Sequence, residues 1–361
     1  MGQVIPEHIY RILELARWAP SGDNTQPWRF EILGDEHILV HGFDTRDHVV
    51  YDLDGHASQL ALGALLETLV MAATTQGRRT EIVRRPDTPE IHLLFDIRFS
   101  PDTTVGVAPL AAYIESRVVQ RRPMSTQPLT ENQKTALAAA LPEGFKVVWF
   151  EGLAQRWRLA KFMFDNAKIR LTIPEGYATH STVIEWGAQF SEDKIPDQAV
   201  GVDPLTARLM RWVMARDWAR VEFFNKYLMG DLPPRIQLDL LPGVACAAHF
   251  ALLTPASLQS LDDHLAAGRA MQRFWLTAAS LELYIQPEMT PVIFTRYHRQ
   301  GRNFTQLGTA TDKAGKLNAR LANFLPDQNL AALYFMGRLG TGPAPRARST
   351  RKPVAALMQH S

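Results

Sequence analysis

Apolar residues at Ile5, Ile9, Ile12, Leu13, Leu15 and Ala16 recur at helical spacing and stop at Pro20, which predicts a helix over residues 6–18 and then a polar loop over 19–28. Beyond the loop the period changes, because Arg29-Phe30-Glu31-Ile32-Leu33 and Ile38-Leu39-Val40 alternate as strands do. An apolar run over 57–76 predicts a long buried helix, closed by Gly77 with Arg78 and Arg79 behind it, and strands are expected at 81–83 and 91–97. A second series begins near Ala111. It comprises a helix over 111–116, a basic segment over 117–122, a helix over 131–141 capped by Thr130, and a strand at 146–150. Residues 153–239 read as mainly helical and rich in aromatic side chains, with buried helical core as their plainest reading. A strand at 249–253, a helix over 261–283, a strand at 330–338 and a basic, proline-containing tail complete the series.

Two of the apolar helices align without a gap. Residues 62–73 fall on 267–278 at a constant offset of 205, and both stretches place a glycine second, Gly63 and Gly268. With the strand expected after each, this favours two halves built on one plan, residues 1–110 and 111–355, although two buried helices also share such a pattern by chance.

The chain has 361 residues, 46% hydrophobic and 21% charged, with 22 Gly and 23 Pro dispersed along it, so disordered, collagen-like and disulfide-scaffold architectures are excluded and a large core is expected. A net charge of +2 does not supply the field that nucleic-acid binding needs. The single cysteine, Cys246, lies among Val244, Ala245, Ala247 and Ala248; it is expected to be a small buried hydrophobe in a reducing compartment. Glu7, Arg11, Glu14 and Arg17 interrupt the first apolar pattern, and no run approaches the ~20 apolar residues of a membrane span, so a cytoplasmic protein without a membrane partner is expected. No Gly-x-Gly-x-x-Gly follows a strand, no phosphate-binding Gly-Lys-Ser/Thr occurs, and His56, His249 and His264 lack metal-ligand spacing.

The loop over 19–28 is the most specific segment. Ser21, Gly22 and Asn24 leave backbone amides accessible, Pro20 and Pro27 stiffen its ends, and Asn24 and Gln26 each present a donor beside an acceptor. Such a loop suits the hydrogen-bonding edge of a heterocycle; an Asx-type turn joining helix to strand is the alternative.

The run Ala16-Arg17-Trp18-Ala19-Pro20-Ser21-Gly22-Asp23-Asn24-Thr25-Gln26-Pro27-Trp28-Arg29-Phe30 resembles the N-terminal signature of the nitroreductase family of FMN flavoproteins. The resemblance implies an α+β, three-layer fold with a mainly antiparallel sheet flanked by helices in each half. It also implies contacts to the isoalloxazine ring from Pro20, Ser21, Gly22, Asn24 and Gln26. In ordinary members the loop of one subunit meets the ring, and an Arg-x-Ser-x-Arg/Lys cluster of the other meets the phosphate. Arg117-Val118-Val119-Gln120-Arg121-Arg122, followed by Pro128-Leu129-Thr130, resembles that cluster with Val119 in place of the customary serine. Arg117, Arg121 and Arg122 are therefore expected at the cofactor, Arg121 near N1 and the C2 carbonyl. The tail from Arg338-Leu339-Gly340 to Thr350-Arg351-Lys352-Pro353 resembles the family's closing strand and basic pair, which places Arg351 and Lys352 at the phosphate and leaves Arg346 and Arg348 in a solvated tail. Gln286, Pro287, Glu288 and Met289 stand where family members lay backbone amides beside flavin N5, a match of placement more than of letters.

Since each half carries the part of the site that the other lacks, the chain resembles a fused nitroreductase dimer with one surviving flavin site. That implies one FMN, a monomer, and hydride passed from NAD(P)H through the flavin to a nitroaromatic, quinone or similar acceptor, with no metal and no dedicated acid–base pair. The insertion over 153–239 exceeds the usual family pattern, and its 166–201 segment would form a lid; with such a lid, flavin storage or sensing is the alternative function. A protein with no flavin at all is a third reading. His180, Tyr177 and Trp186 are candidates for the substrate face, against a surface histidine and core aromatics.

Overall fold

The computed structural model describes residues 5–359. Residues 1–4 of the expected first half therefore lie outside the described residues. Helix α1 (Glu7–Ala16) buries Ile9, Ile12, Leu13 and Ala16 and leads through the loop to β1 (Trp28–Gly34) and β2 (His37–Phe43), an antiparallel hairpin with Trp28 opposite Gly42. Helix α2 (His56–Thr74) follows, then β3 (Arg78–Arg84) and β4 (His92–Pro101). The first sheet has the order β1-β2-β4-β3, antiparallel throughout. Its alternation puts Trp28, Phe30, Phe95 and Ile97 into one core with α1 and the face of α2 bearing Leu62, Leu65 and Leu69.

The second half repeats this plan with long interruptions. Helix α3 (Glu131–Ala139) starts at a capping box in which Thr130 and Gln133 satisfy each other's backbone amides. Strand β5 (Lys146–Phe150) is separated from its hairpin partner by α4 (Gly152–Thr172), α5 (Pro174–Val183), α6 (Pro204–Met214), α7 (Trp218–Tyr227) and a π turn at Ile236–Leu240. Then come β6 (Ala248–Leu253), α8 (Leu261–Ser280), β7 (Tyr284–Pro287), α9 (Thr290–Arg299), α10 (Gly308–Ala322) and β8 (Leu333–Gly340). The sheet order β7-β8-β6-β5, read backwards, matches β1-β2-β4-β3 strand for strand, and it is antiparallel throughout.

The two halves meet along α2 and α8. A Cβ on Gly63 would fall 2.2 Å from the Leu265 carbonyl oxygen and 3.0 Å from the Gly268 Cα, while a Cβ on Gly268 would fall 2.2 Å from the Leu60 oxygen and 3.0 Å from the Gly63 Cα. One contact becomes the other by exchanging the helices at the offset of 205, so the glycines let two backbones touch about a pseudo-two-fold axis. By length and composition α2 would cross a bilayer, but here most of it is buried against α1, the first sheet and α8.

The sequence-predicted elements shift in three places. The helix expected over 111–116 is a 3-10 turn, Pro109–Tyr113, and the basic segment after it runs irregularly, with Val119 bridged in parallel to Ile285. The last strand starts and ends later than 330–338. Helices α9 and α10 fall where no element is predicted: α9 opens on a β-branched run and is buried through Val292, Ile293 and Phe294, although the 310/314/317/321 stripe of α10 is a legible helical face.

Candidate functional site

A cavity of about 430 Å³ opens between the halves. Its lining joins Pro20, Ser21, Gly22, Asp23 and Asn24 of the loop to Arg117 and Arg121 of the basic segment, to Gln286, Pro287, Glu288 and Met289 after β7, and to Arg348 and Arg351 of the tail. Of the residues expected at the cofactor, Gln26, Arg122 and Lys352 lie outside this lining.

The loop is held in an uncommon shape. Asp23, Asn24 and Gln26 all have positive φ, at 49°, 63° and 48°, a region costly for residues with a Cβ and kept only where surrounding bonds enforce it. The Gln26 amide N–H donates to Ser21 Oγ (3.0 Å), its Nε2 donates to the Asn24 and Glu192 carbonyls (3.0 and 2.8 Å), and its Oε1 accepts from the Lys352 amide (3.0 Å). Gln26 is thus fully committed to the protein: it shapes the loop and presents no edge to the cavity. Asn24 directs Nδ2 at the carbonyls of Glu192 (3.1 Å) and Thr350 (3.2 Å), and its Oδ1 is buried without a partner.

Three guanidiniums gather beside the loop. Arg117 donates to the Trp18 carbonyl (2.9 Å) and lies 4.6 Å over the Trp275 ring; Arg348 donates to the Glu115 carbonyl (2.9 Å) and lies 4.8 Å over the Trp18 ring. Arg351 donates to the carbonyls of Ala19 (3.1 Å) and Thr350 (2.7 Å). Among the described residues none of the three is ion-paired, and Nε of both Arg117 and Arg348 is buried without a partner. Burial first, and then the neighbouring guanidiniums, pull Arg117 well below its ordinary value and Arg351 down to about 9. Converging cations, Arg117 and Arg351 buried and Arg348 half-buried, with unused donors and no ion pair among the described residues, fit a phosphate-bearing group. Arg348 corrects the expectation of a solvated tail, because Arg348–Ser349 pairs in parallel with Phe190–Ser191 and draws the side chain inward, while Arg346 is exposed as expected. Arg121 donates to the Ala199 carbonyl (3.2 Å) and is pulled by burial to about 10, Asp23 opposing. Arg122 instead reaches the Gln198 carbonyl (3.3 Å), and Lys352 Nζ lies 3.9 Å from Asp193.

Under the cavity lies a network that the letters do not announce. Glu288 accepts from His249 Nδ1 (2.8 Å) and from Arg338 Nη1 (3.0 Å), and all three are buried. His249 Nε2 faces the Gly243 carbonyl at 2.7 Å, so both ring nitrogens face acceptors and both must donate, which requires the imidazolium. Burial alone would lower His249; the Glu288 carboxylate outweighs it and holds the group up to about 10. Arg338 also donates to the Arg121 carbonyl (3.0 Å), tying the network to the basic segment.

The insertion walls the far side with Met163, Leu171, Met210 and Met214. His180 Nε2 and the Tyr51 hydroxyl are 2.8 Å apart, and burial, then Arg170, lowers His180 to about 3, leaving a neutral pair; Arg170 is ion-paired with Asp239 at 2.6 Å. Of the three substrate-face candidates only His180 lines the cavity. Tyr177 donates to the Met214 carbonyl (3.1 Å) and Trp186 lies outside.

Residues 3–62, which include the loop, match the family model described as the nitroreductase family. An uncharacterized protein of Mycobacterium tuberculosis (strain H37Rv) is 34% identical over 117 residues, 31% of this chain and 34% of that protein. The protein of the same strain named "Putative NAD(P)H nitroreductase acg" is 31% identical over 137 residues, 36% of this chain and 40% of its own length. The matched part thus spans well under half the length of these curated relatives. A solved structure described as a "putative nitroreductase" from Anabaena variabilis covers 85% of this chain and 69% of its own at 12% identity, with a TM-score of 0.36, which adds nothing to the fold described above. On the segment that carries the loop, the chain is similar to the nitroreductase family and to these relatives.

Proposed function

We propose that the chain is an FMN-dependent oxidoreductase of nitroreductase type with one flavin site, built from both halves of a single polypeptide. The observation that carries the reading is the meeting, in one cavity, of the strained loop of the first half and the unpaired cluster Arg117, Arg348 and Arg351. The cavity volume lies within the range of small-molecule and cofactor sites. The three arginines would hold the phosphate, and Pro20, Ser21, Gly22 and the unpaired Oδ1 of Asn24 would meet the ring. Bound FMN would supply the redox chemistry, taking hydride from NAD(P)H and passing it to a nitroaromatic, quinone or other electron-poor acceptor. Arg121 would contribute a cation that stabilises negative charge on the ring, and Met163, Met210 and Met214 would give the acceptor an apolar wall.

FMN released by acid should approach one per chain; a ratio near two would mean a second site, and a protein that stays colourless with added FMN would overturn the reading. Arg117→Ala and Arg351→Ala should each weaken FMN binding by about tenfold or more, since each removes charge-assisted contacts worth roughly 1.5–3 kcal/mol. A fused pair needs no partner, so sedimentation should give a 40.6 kDa monomer that keeps its flavin on dilution.

The second reading, a flavin-storing or flavin-sensing protein, is favoured by the roof. Asn24 and Gln26 both donate to the Glu192 carbonyl, and the Thr350 amide donates to the Ser191 carbonyl (2.7 Å), so the insertion is fastened to the loop and to the tail. Anaerobic mixing with NADH or NADPH separates the two readings: rapid bleaching of the flavin supports the reductase, and unchanged absorbance supports storage.

A further inference from the structure

Helix α6 has two working faces. Met210 and Met214 line the cavity, while Leu205 (75% exposed), Leu209 and Trp212 (55%) lie on the outward side, with the Arg220 guanidinium 4.6 Å over the Trp212 ring. The outward face continues onto α7 and the turn after it, through Phe223, Tyr227 (63%) and Met229 (65%). The rings form one patch, with Trp212 5.6 Å from Phe224, Phe224 6.1 Å from Phe223, and Phe223 5.1 Å from Tyr227.

The charge around this patch is one-sided. Between 205 and 229 stand Arg208, Arg211, Arg216, Arg220 and Lys226 against only Asp217 and Glu222. Asp217 is already engaged, capping α7 through the Arg220 amide (2.9 Å) and pairing with Arg216 (3.3 Å), and Arg208, Arg211 and Lys226 are in no ion pair among the described residues. Leucine and aromatic side chains bordered by excess arginine are the composition of a helix that lies in a lipid interface, its apolar side chains in the acyl boundary and its cations on anionic headgroups. A second copy is a poorer occupant, since a two-fold contact would set the same cations against themselves.

We propose that the α6–α7 face docks on an anionic lipid bilayer. The sequence reading expects no membrane partner because it expects no span, and α2, long and apolar enough for one, is buried in the core; a surface helix lying in the interface needs no span. What docks on the outer face of α6 sits one helix from the cavity, and the docking stands independently of the redox reading.

Vesicle co-sedimentation of the full chain tests it. The protein should pellet with phosphatidylcholine vesicles containing about a third phosphatidylglycerol and much less with phosphatidylcholine alone. Leu205→Glu combined with Leu209→Glu, both exposed positions off the cavity lining, should keep the wild-type melting temperature and weaken binding at least about tenfold. Arg208→Gln with Arg211→Gln should reduce the preference for phosphatidylglycerol and its salt sensitivity. Absence of binding to either vesicle, equal binding by wild type and the glutamate variant, or a dimer in sedimentation velocity that the glutamate variant splits would each overturn the proposal.

Discussion

The edge after β3 and the edge after β7 occupy the same place in their two halves. Arg85 donates its amide to the Leu94 carbonyl and its guanidinium to Asp96; Glu288 donates its amide to the Met336 carbonyl and accepts at its carboxylate from Arg338. The backbone step is the same and the charges are exchanged, carboxylate for guanidinium. Their settings differ: Arg85 is 40% exposed, whereas Glu288 and Arg338 are almost wholly covered. What covers the second pair is the insertion, whose Leu238 carbonyl accepts from Arg338 and whose Gly243 carbonyl accepts from His249. One topology thus carries a solvent-screened ion pair in one half and a sealed three-member network beneath the cavity in the other. The tight turn at 35–36 in the first half is replaced by 151–247 in the second, and that replacement creates the site's far wall.

The sharpest way to break this comparison is Glu288→Leu, which leaves His249 and Arg338 buried as uncompensated cations. A loss of about 3–5 kcal/mol in urea unfolding at neutral pH is expected, and a loss below about 1 kcal/mol would show that the network is solvent-screened after all. The network also sets a pH signature. His249 is raised from its ordinary value to about 10, so its contribution is fully present below the unfolded value near 6.5 and is lost as pH rises through about 10. His180, lowered to about 3, works in the other direction: its contribution is present above about 6.5 and is lost as pH falls toward 3. Unfolding followed from pH 3 to 10.5 should therefore show an alkaline decline that His249→Gln removes, with the acid limb unchanged.

The shared axis is tested next. Gly63→Ala and Gly268→Ala should each cost about 1–3 kcal/mol, because each methyl would enter a carbonyl of the opposing helix. The double variant should cost clearly less than the sum, since the first substitution already separates the backbones that the second would touch. Additive costs would mean that the two contacts are independent and the symmetry only apparent. Gly22→Ala, with open space around its Cβ position, serves as the control for folding.

A smaller effect is expected at the start of α8, where Ser260 and Asp263 form a capping box that α2, entered from Gly55, lacks. Ser260→Ala should lower the melting temperature by the equivalent of about 1 kcal/mol. Smallest of all is Arg85→Ala, the counterpart of the Glu288 substitution: breaking an exposed pair should change stability by less than about 1 kcal/mol, and less again in high salt.

Much of this architecture is legible in the letters because it depends on local periodicity. The strands of the first sheet, the long helix at 56–74, the capped helix after Thr130 and the strand at 146–150 follow from spacing and caps, and the 205-residue offset already pairs Gly63 with Gly268. The loop around Pro20 to Asn24 and the arginines at 117, 121 and 351 are legible for another reason, since their order along the chain is itself the motif. Direction is not legible. Gln26 and Asn24 carry the same amide and both donate to the Glu192 carbonyl, yet the oxygen of one accepts from the Lys352 amide and that of the other is buried without a partner, a distinction set by which donor the tail brings within reach. Arg346 and Arg348 are two residues apart in one tail, and only the parallel pairing at 348–349 turns the second inward. His249, Glu288 and Arg338 are separated by tens of residues and have no common spacing. The sequence alone determined most of the elements, the doubled plan and the candidate residues of the site, because short-range periodicity and motif order are written in the chain; the tertiary structure decided which of those side chains face the cavity and which buried charges neutralise one another, because desolvation and pairing depend on neighbours that only folding brings together.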